Sequence, residues 1–271
     1  IIRTFCQAYR DNILICPPTY GMYAISAENH GAGVVKVPLV KNELDLDGLA
    51  QQVGKVKVVF LCSPGNPTGN LIPEQQLKTA LEMFKDSAIV VVDEAYIEFS
   101  PEQTAAGWIK DFDNLVVLRT LSKAFALAGL RCGFTLANPD IIALLTKVIA
   151  PYPISAPVAD IATNALNEEG LAAMSTRVQE VKLLREKLSL WLTLQPWCEK
   201  VYDSDANFIL FKAKEKDRLF NSLAKQGILI RDQSKQLQLE GCLRISIGSE
   251  RELNLLQQVL ENTMTSKLDM A

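Results

Sequence analysis

The chain has 271 residues, 48% of them apolar and 22% charged, which suits one large or two modest globular cores. Lys and Arg number 28 against 31 for Asp and Glu, a formal charge of −3, so nothing points to nucleic acid or to a membrane surface as a partner. The longest apolar helical stretch, 141–150, is interrupted by Thr146 and Lys147 and is too short to span a bilayer.

In chain order, residues 1–9 read as an amphipathic helix entered midway, with no initiating Met and no N-cap; a segment is expected to precede Ile1. From 13 to 153 strands and helices alternate. Strands are predicted at 13–16, 34–39, 56–62, 88–92 and 115–118, with helices at 23–30, 46–54 and 74–85. The runs 56–62 and 88–92 are continuously apolar, as in strands covered on both faces. Alternation of this kind argues βαβ units and a mostly parallel sheet. Between the strand ending near Thr120 and the next, 133–137, only about a dozen residues intervene. That is too few for a parallel crossover with its helix, so 133–137 is expected to run antiparallel. A helix at 140–150 follows, then the proline-rich joint 151–157. The expected architecture is α/β, a three-layer mostly parallel sheet in residues 1–153. Residues 154–271 should form a smaller α+β unit, with helices at 158–167, 171–194, 217–226 and 250–263 and strands at 207–212, 228–231 and 242–247.

Cysteines at 6, 16, 62, 132, 198 and 242 include no C-x-x-C pair, and Cys16, Cys62 and Cys132 lie in apolar, strand-like runs. Free thiols in a reducing compartment, and so a cytoplasmic address, are expected. His30, the single histidine, is expected to be a solvated residue at a helix end, and a metal site lacks ligands.

Three polar blocks close apolar runs: 63–69 (Ser-Pro-Gly-Asn-Pro-Thr-Gly), 93–96 (Asp-Glu-Ala-Tyr) and 120–125 (Thr-Leu-Ser-Lys-Ala-Phe), with Arg131 following. Strand ends are where open α/β sheets place ligands. Lys123 is the amine that could hold an aldehyde cofactor. It becomes nucleophilic when burial or a neighbouring cation favours its neutral form, and Leu121, Ala124, Phe125 and Arg131 supply both causes. Thr120, Ser122 and Arg131 suit a phosphate dianion. Asp93, after four apolar residues, could keep a pyridine nitrogen protonated or simply cap a helix. Glu94 is read as structural. Asn66 and Tyr96 can reach a ring hydroxyl, although a turn asparagine and a core tyrosine fit too. Tyr20 could stack on the ring or serve as a core aromatic, with Tyr23 as the fallback. Arg244, the sole charge in the strand 242–247, suits a substrate carboxylate or a structural ion pair.

These blocks, in this order and spacing, resemble the fold-type-I pyridoxal-phosphate aminotransferases over essentially the whole chain. The stretches 93–99, 122–131, 206–210 and 243–248 are most similar to the histidinol-phosphate aminotransferase subfamily. The resemblance implies pyridoxal 5′-phosphate bound as a Schiff base on Lys123, which also moves the substrate proton. It assigns Asp93 to the pyridinium, Asn66 and Tyr96 to the ring oxygen, and Thr120, Ser122 and Arg131 to the phosphate. Tyr20 would stack, and Arg244 would clamp glutamate's carboxylate. The implied reaction is amino transfer between glutamate and imidazole-acetol phosphate in histidine biosynthesis, by a homodimer. Relatives carry an N-terminal arm and a Gly-x-Asp/Glu phosphate turn ahead of the position of Ile1, so the span 1–271 alone is expected to be weak or inactive. Threonine-phosphate decarboxylase, another amino-acid aminotransferase and a non-catalytic cofactor-binding regulator are the competing readings.

Overall fold

The apolar runs of the first half become strands whose side chains alternate between two cores. A computed structural model describes residues 1–101 and 104–265. Strands β1 (Asn12–Ile15), β2 (Gly33–Lys36), β3 (Val58–Cys62), β4 (Ile89–Asp93), β5 (Leu115–Thr120) and β6 (Gly133–Ala137) form one sheet in the order β2-β1-β3-β4-β5-β6. The first five are parallel, and β6 runs antiparallel to β5, with Thr120 opposite Gly133. Leu14, Val59, Leu61, Val90, Val92 and Val117 face helices α3 (Leu46–Ala50) and α4 (Glu74–Met83) through Leu49, Leu77 and Leu81. Their neighbours Ile13, Ile15, Val58, Phe60, Val91 and Val116 face α2 (Met22–His30) and α5 (Pro139–Thr146) through Tyr23, Ala27, Ile141 and Leu145. Every residue of β3 is buried. Each such side chain stabilises the sheet by about 1.5–3 kcal/mol, so the layering follows from the period-2 alternation of a strand covered on both faces.

The second half has helices α6 (Ala156–Ala165), α7 (Glu168–Thr193), α8 (Lys216–Lys225) and α9 (Glu250–Thr265). Its antiparallel sheet runs β7-β8-β10-β9, from β7 (Cys198–Val201), β8 (Phe208–Ala213), β9 (Arg231–Asp232) and β10 (Cys242–Ser246). Ile209, Phe211, Leu243 and Ile245 pack on Leu188 and Leu192 of α7, Leu219 and Leu223 of α8, and Leu256 and Leu260 of α9. Asn167 caps α7, its Oδ1 accepting from the Gly170 amide at 2.8 Å.

Three departures from the predicted elements have local causes. The helix expected over 1–9 is only α1 (Ile2–Phe5). The Gln7 amide donates to Asp11 Oδ2 (2.7 Å) and the Tyr9 amide to the Gly31 carbonyl (2.7 Å), which diverts both from helical bonding. The strand expected over 228–231 shrinks to β9, because the Ile228 amide closes the end of α8 on the Leu223 carbonyl (2.9 Å) after Gly227 turns at φ +76°. The unpredicted β7 carries Glu199 and Lys200 outward on a short edge, where charge masks the strand pattern.

The loop 63–69 is fastened to the second half. The Asp205 amide donates to the Gly69 carbonyl at 2.8 Å, and a Cβ on Gly69 would lie 2.7 Å from Ser204 Oγ. Gly54 has a similar φ, +76° against +87°, but open space around it. Gly54→Ala should therefore cost about 1 kcal/mol from conformation alone, and Gly69→Ala at least about 1 kcal/mol more. Denaturant unfolding of the two variants reads the difference; equal losses would mean that Ser204 yields freely.

Candidate active site

Strands β3, β4 and β5, side by side in the large sheet, each deliver polar side chains from their carboxyl ends to one place. After β3, the Gly69 amide bonds the Gly65 carbonyl (2.8 Å), the Gly65 amide bonds the Asn70 carbonyl (2.8 Å), and Ser63 Oγ accepts from the Ile72 amide (3.0 Å). This self-closed loop presents Asn66. Its Nδ2 donates to Tyr96 Oη at 3.4 Å, and its Oδ1 accepts from Arg244 Nη1 at 2.5 Å. Arg244 comes from β10, opposite Leu210 of β8, with its guanidinium 4.7 Å over the Phe208 ring.

Asp93 ends β4. Its Oδ1 accepts from the Ala95 amide (3.1 Å) and its Oδ2 from Tyr23 Oη (2.6 Å). Tyr23, in the first turn of α2, stacks on Phe60 at 4.7 Å and 14°. Tyr20 meets Tyr23 edge-on at 5.5 Å and is 43% exposed.

Beyond β5 the chain folds back at Lys123. Buried Leu121 and Ala124 anchor the turn, the Leu127 amide donates to the Leu121 carbonyl (3.0 Å), and Ala126 takes φ +57°. From α7, Arg177 Nη1 donates to the Ala124 carbonyl at 3.0 Å, bracing the turn from the second half. Lys123 Nζ lies 5.4 Å over the Tyr96 ring. Thr120 Oγ1 accepts from the Ser122 amide (3.1 Å) and sits 3.0 Å from Ser122 Oγ. Exposed Arg131, at φ +56°, donates from Nη1 to the Ala128 carbonyl (2.9 Å).

Tyr20, Asn66, Asp93, Tyr96, Thr120, Ser122, Lys123, Arg131 and Arg244 all line a single cleft of about 550 Å³. Burial, and then the Arg244 charge, hold the Lys123 amine below the usual lysine range; Arg131 adds to this and Asp93 opposes it. Burial raises the Asp93 carboxyl, while Tyr23, the Ala95 amide and Lys123 pull it down. Burial also lifts the Tyr96 phenol, with Arg244 acting against it. Arg244 is itself shifted down by burial, and its Nε is buried without a hydrogen-bond partner among the described residues.

Glu94 has the structural place expected of it. It accepts from Thr104 Oγ1 (2.5 Å) and the Ala105 amide (2.6 Å), and Arg119 lies 3.6 Å away. Arg119 also pairs with Glu98 at 2.7 Å. His30 departs from its predicted solvated state: its Nε2 is 2.9 Å from the Cys6 carbonyl and ties the end of α2 to the segment after α1. Sequence reasoning kept Tyr23 only as a substitute stacker and missed its bond to Asp93. The partner is 70 residues away, and the local sequence carries no signal for it. Among the described residues no group of three His, Cys, Asp or Glu side chains could hold a metal ion.

Residues 1–260 match the family described as aminotransferase class I and II. The histidinol-phosphate aminotransferase of Colwellia psychrerythraea is 62% identical over 274 residues, which is 96% of this chain and 74% of that protein. The crystal structure of the histidinol-phosphate aminotransferase from Clostridium acetobutylicum superposes with a TM-score of 0.87 at 26% identity, covering 94% of this chain and 78% of that one. The Sinorhizobium meliloti histidinol-phosphate aminotransferase, solved in complex with pyridoxal 5′-phosphate, shares the fold, with a TM-score of 0.86 at 24% identity over 98% of this chain and 73% of that one. By fold, by the order of its polar blocks and by this match over nearly its whole length, the chain belongs to the class I and II aminotransferase family.

Proposed function

We propose that the chain holds pyridoxal 5′-phosphate covalently through Lys123 and transfers an amino group between glutamate and imidazole-acetol phosphate, a step of histidine biosynthesis. The observation that carries this reading is one cleft with an amine biased toward its neutral form, a buried carboxylate and an incompletely satisfied guanidinium, Lys123, Asp93 and Arg244. Identity of 62% to the Colwellia enzyme supports the substrate pair.

The donor set fits the cofactor. Lys123 makes no ion pair among the described residues, so its amine is free to be the attachment point. Thr120, Ser122 and Arg131 offer two hydroxyls and a guanidinium to the phosphate, and Asn66 with Tyr96 would face the ring hydroxyl. Tyr20 would cover one face of the ring. When bound, the cofactor supplies an electron-withdrawing ring that acidifies the substrate's Cα–H. Asp93 keeps the ring nitrogen protonated. Lys123 Nζ would move the substrate's Cα proton, a task for an amine whose neutral form burial and the Arg244 charge favour. Arg244 grips the α-carboxylate with the planar fork that Lys lacks.

The same reading takes the chain as a homodimer in the cytoplasm, with a division of the chain at residues 153 and 154. Exposed Phe134, Leu136, Val148 and Ile149 line a second cleft of about 920 Å³ that shares Tyr20 and Asp93 with the first, apolar surface that a second copy would cover. All six cysteines are free thiols.

Borohydride reduction of the cofactor-loaded protein, followed by mass mapping, is expected to label Lys123 alone, and Lys123→Ala to abolish labelling. Label on another lysine overturns the assignment. Glutamate should convert the absorption to the pyridoxamine form with release of 2-oxoglutarate. Release of CO₂ instead indicates a decarboxylase, and no conversion a non-catalytic binder.

Asp93→Asn should keep the fold and lower turnover about a hundredfold, ~3 kcal/mol in the barrier. Turnover near the parent rate would reduce Asp93 to a cap. Arg244→Leu is expected to raise KM for glutamate while sparing cofactor affinity, and Arg244→Lys to recover little. Equal loss of cofactor and substrate binding would show a structural role for Arg244.

A further inference from the structure

Tyr23 takes no part in the proposed reaction, yet it touches two side chains that do. Its hydroxyl is 2.6 Å from Asp93 Oδ2, and its ring lies nearly perpendicular to that of Tyr20, with centroids 5.5 Å apart. Tyr23 is itself held firmly, 6% exposed and stacked on Phe60 of β3 at 4.7 Å. We propose that Tyr23 is the positioning residue for the ring-nitrogen end of the site, its hydroxyl fixing the Asp93 carboxylate while its ring seats Tyr20. The inference rests on the reading that Asp93 faces the cofactor's ring nitrogen.

The two carboxylate oxygens of Asp93 have separate tethers. The Ala95 amide holds Oδ1 from the loop after β4, and Tyr23 holds Oδ2 from α2. Two donors on different elements resist rotation of the carboxylate, which a single donor cannot do. Burial favours the neutral acid, so these donors decide how readily Asp93 ionises. The titratable groups acting on it are Tyr23, Cys62 at the end of β3, Tyr96 and Lys123. Of these, Tyr23 provides the side-chain hydrogen bond to the carboxylate, and Lys123 acts through its charge. Burial, and then the neighbouring Cys62 and Asp93, hold the Tyr23 phenol well above its usual range, so it stays a donor wherever Asp93 titrates.

The experiment follows the Asp93 carboxyl directly. Aspartate labelled with ¹³C at Cγ is introduced into the chain, the Asp93 signal is assigned by its loss in Asp93→Asn, and its titration is recorded without cofactor and again with pyridoxal 5′-phosphate. Tyr23→Phe keeps the ring stack and removes the donor. It should move the Asp93 midpoint up by about one pH unit, so that the ionised form is lost at higher pH as pH falls. The loaded protein should show the acid limb of its rate profile displaced the same way and cofactor affinity down by about tenfold. Site-specific 3-fluorotyrosine at position 23, a stronger donor of nearly the same shape, should move the midpoint down. Because it preserves the packing, it decides the sign even where Tyr23→Phe fails to fold. A midpoint that stays put in each variant that folds, or moves the same way in both, overturns the proposal. The cofactor-free titration reads the tether whether or not pyridoxal 5′-phosphate binds, so failure of the functional reading and failure of this inference are separately visible.

Discussion

Burial of the central strands on both faces is the constraint from which the site follows. Along β3 and β4 every position but the terminal residues of β4 is buried, so polar groups are excluded from the middle of the sheet and emerge where the strands stop. A carboxylate such as Asp93 can be kept at that edge only with donors supplied by neighbouring elements, and the Ala95 amide and Tyr23 hydroxyl supply them. Parallel order places the ends of β3, β4 and β5 side by side, so Asn66, Asp93 and the Lys123 turn converge without any long loop having to carry them.

Convergence at one edge would leave the site open on its far side; the second half of the chain closes it through α7 and β8–β10. Tyr96, Phe99 and Ala124 share a small core with Val178, Ala206 and Phe208, so the loops that bear the site are packed directly on the second half. Buried Arg185 bonds the carbonyls of Ala206 (2.8 Å) and Phe99 (3.5 Å), and Arg177 bonds that of Ala124. Both Arg185 bonds leave one nitrogen, Nη1, whose two protons reach carbonyls from different segments at once. Desolvation of Arg185 is the cost, seen in the downward displacement of its pKa. The same packing brings Arg244 within hydrogen-bond reach of Asn66, 178 residues away in sequence.

How much of this was legible in the sequence depended on how local each signal is. The parallel sheet, the antiparallel β6 and the nine cleft residues were readable because apolar runs, short connections and polar strand ends are contiguous patterns. The roles of Asn66 and Tyr20 stayed open, since a turn asparagine and a core aromatic look the same in one dimension. Elements decided by tertiary partners were misread: the turn after α1 depends on Gly31, and β7 depends on its pairing with β8. Tyr23 was undervalued for the same reason. Its partner Asp93 is 70 residues away, and nothing in the local sequence of α2 distinguishes a tyrosine that bonds a carboxylate from one that fills a core.

The electrostatics of the cleft are a balance between its two ends. Asp93 raises the pKa of Lys123 and Arg244 lowers it, while Lys123 in turn favours the ionised form of Asp93. Burial penalises all three charged groups, so none is fixed by its own surroundings alone. An anion bound at Arg244 would weaken the cationic pressure on Lys123, and a cation at Asp93 would strengthen the pressure toward the neutral Lys123 amine. A carboxylate ligand and a protonated ring would therefore act on the same amine with opposite sign. The physical origin of that coupling is that a strand end of one sheet and a strand of the other meet across a single, partly buried cleft.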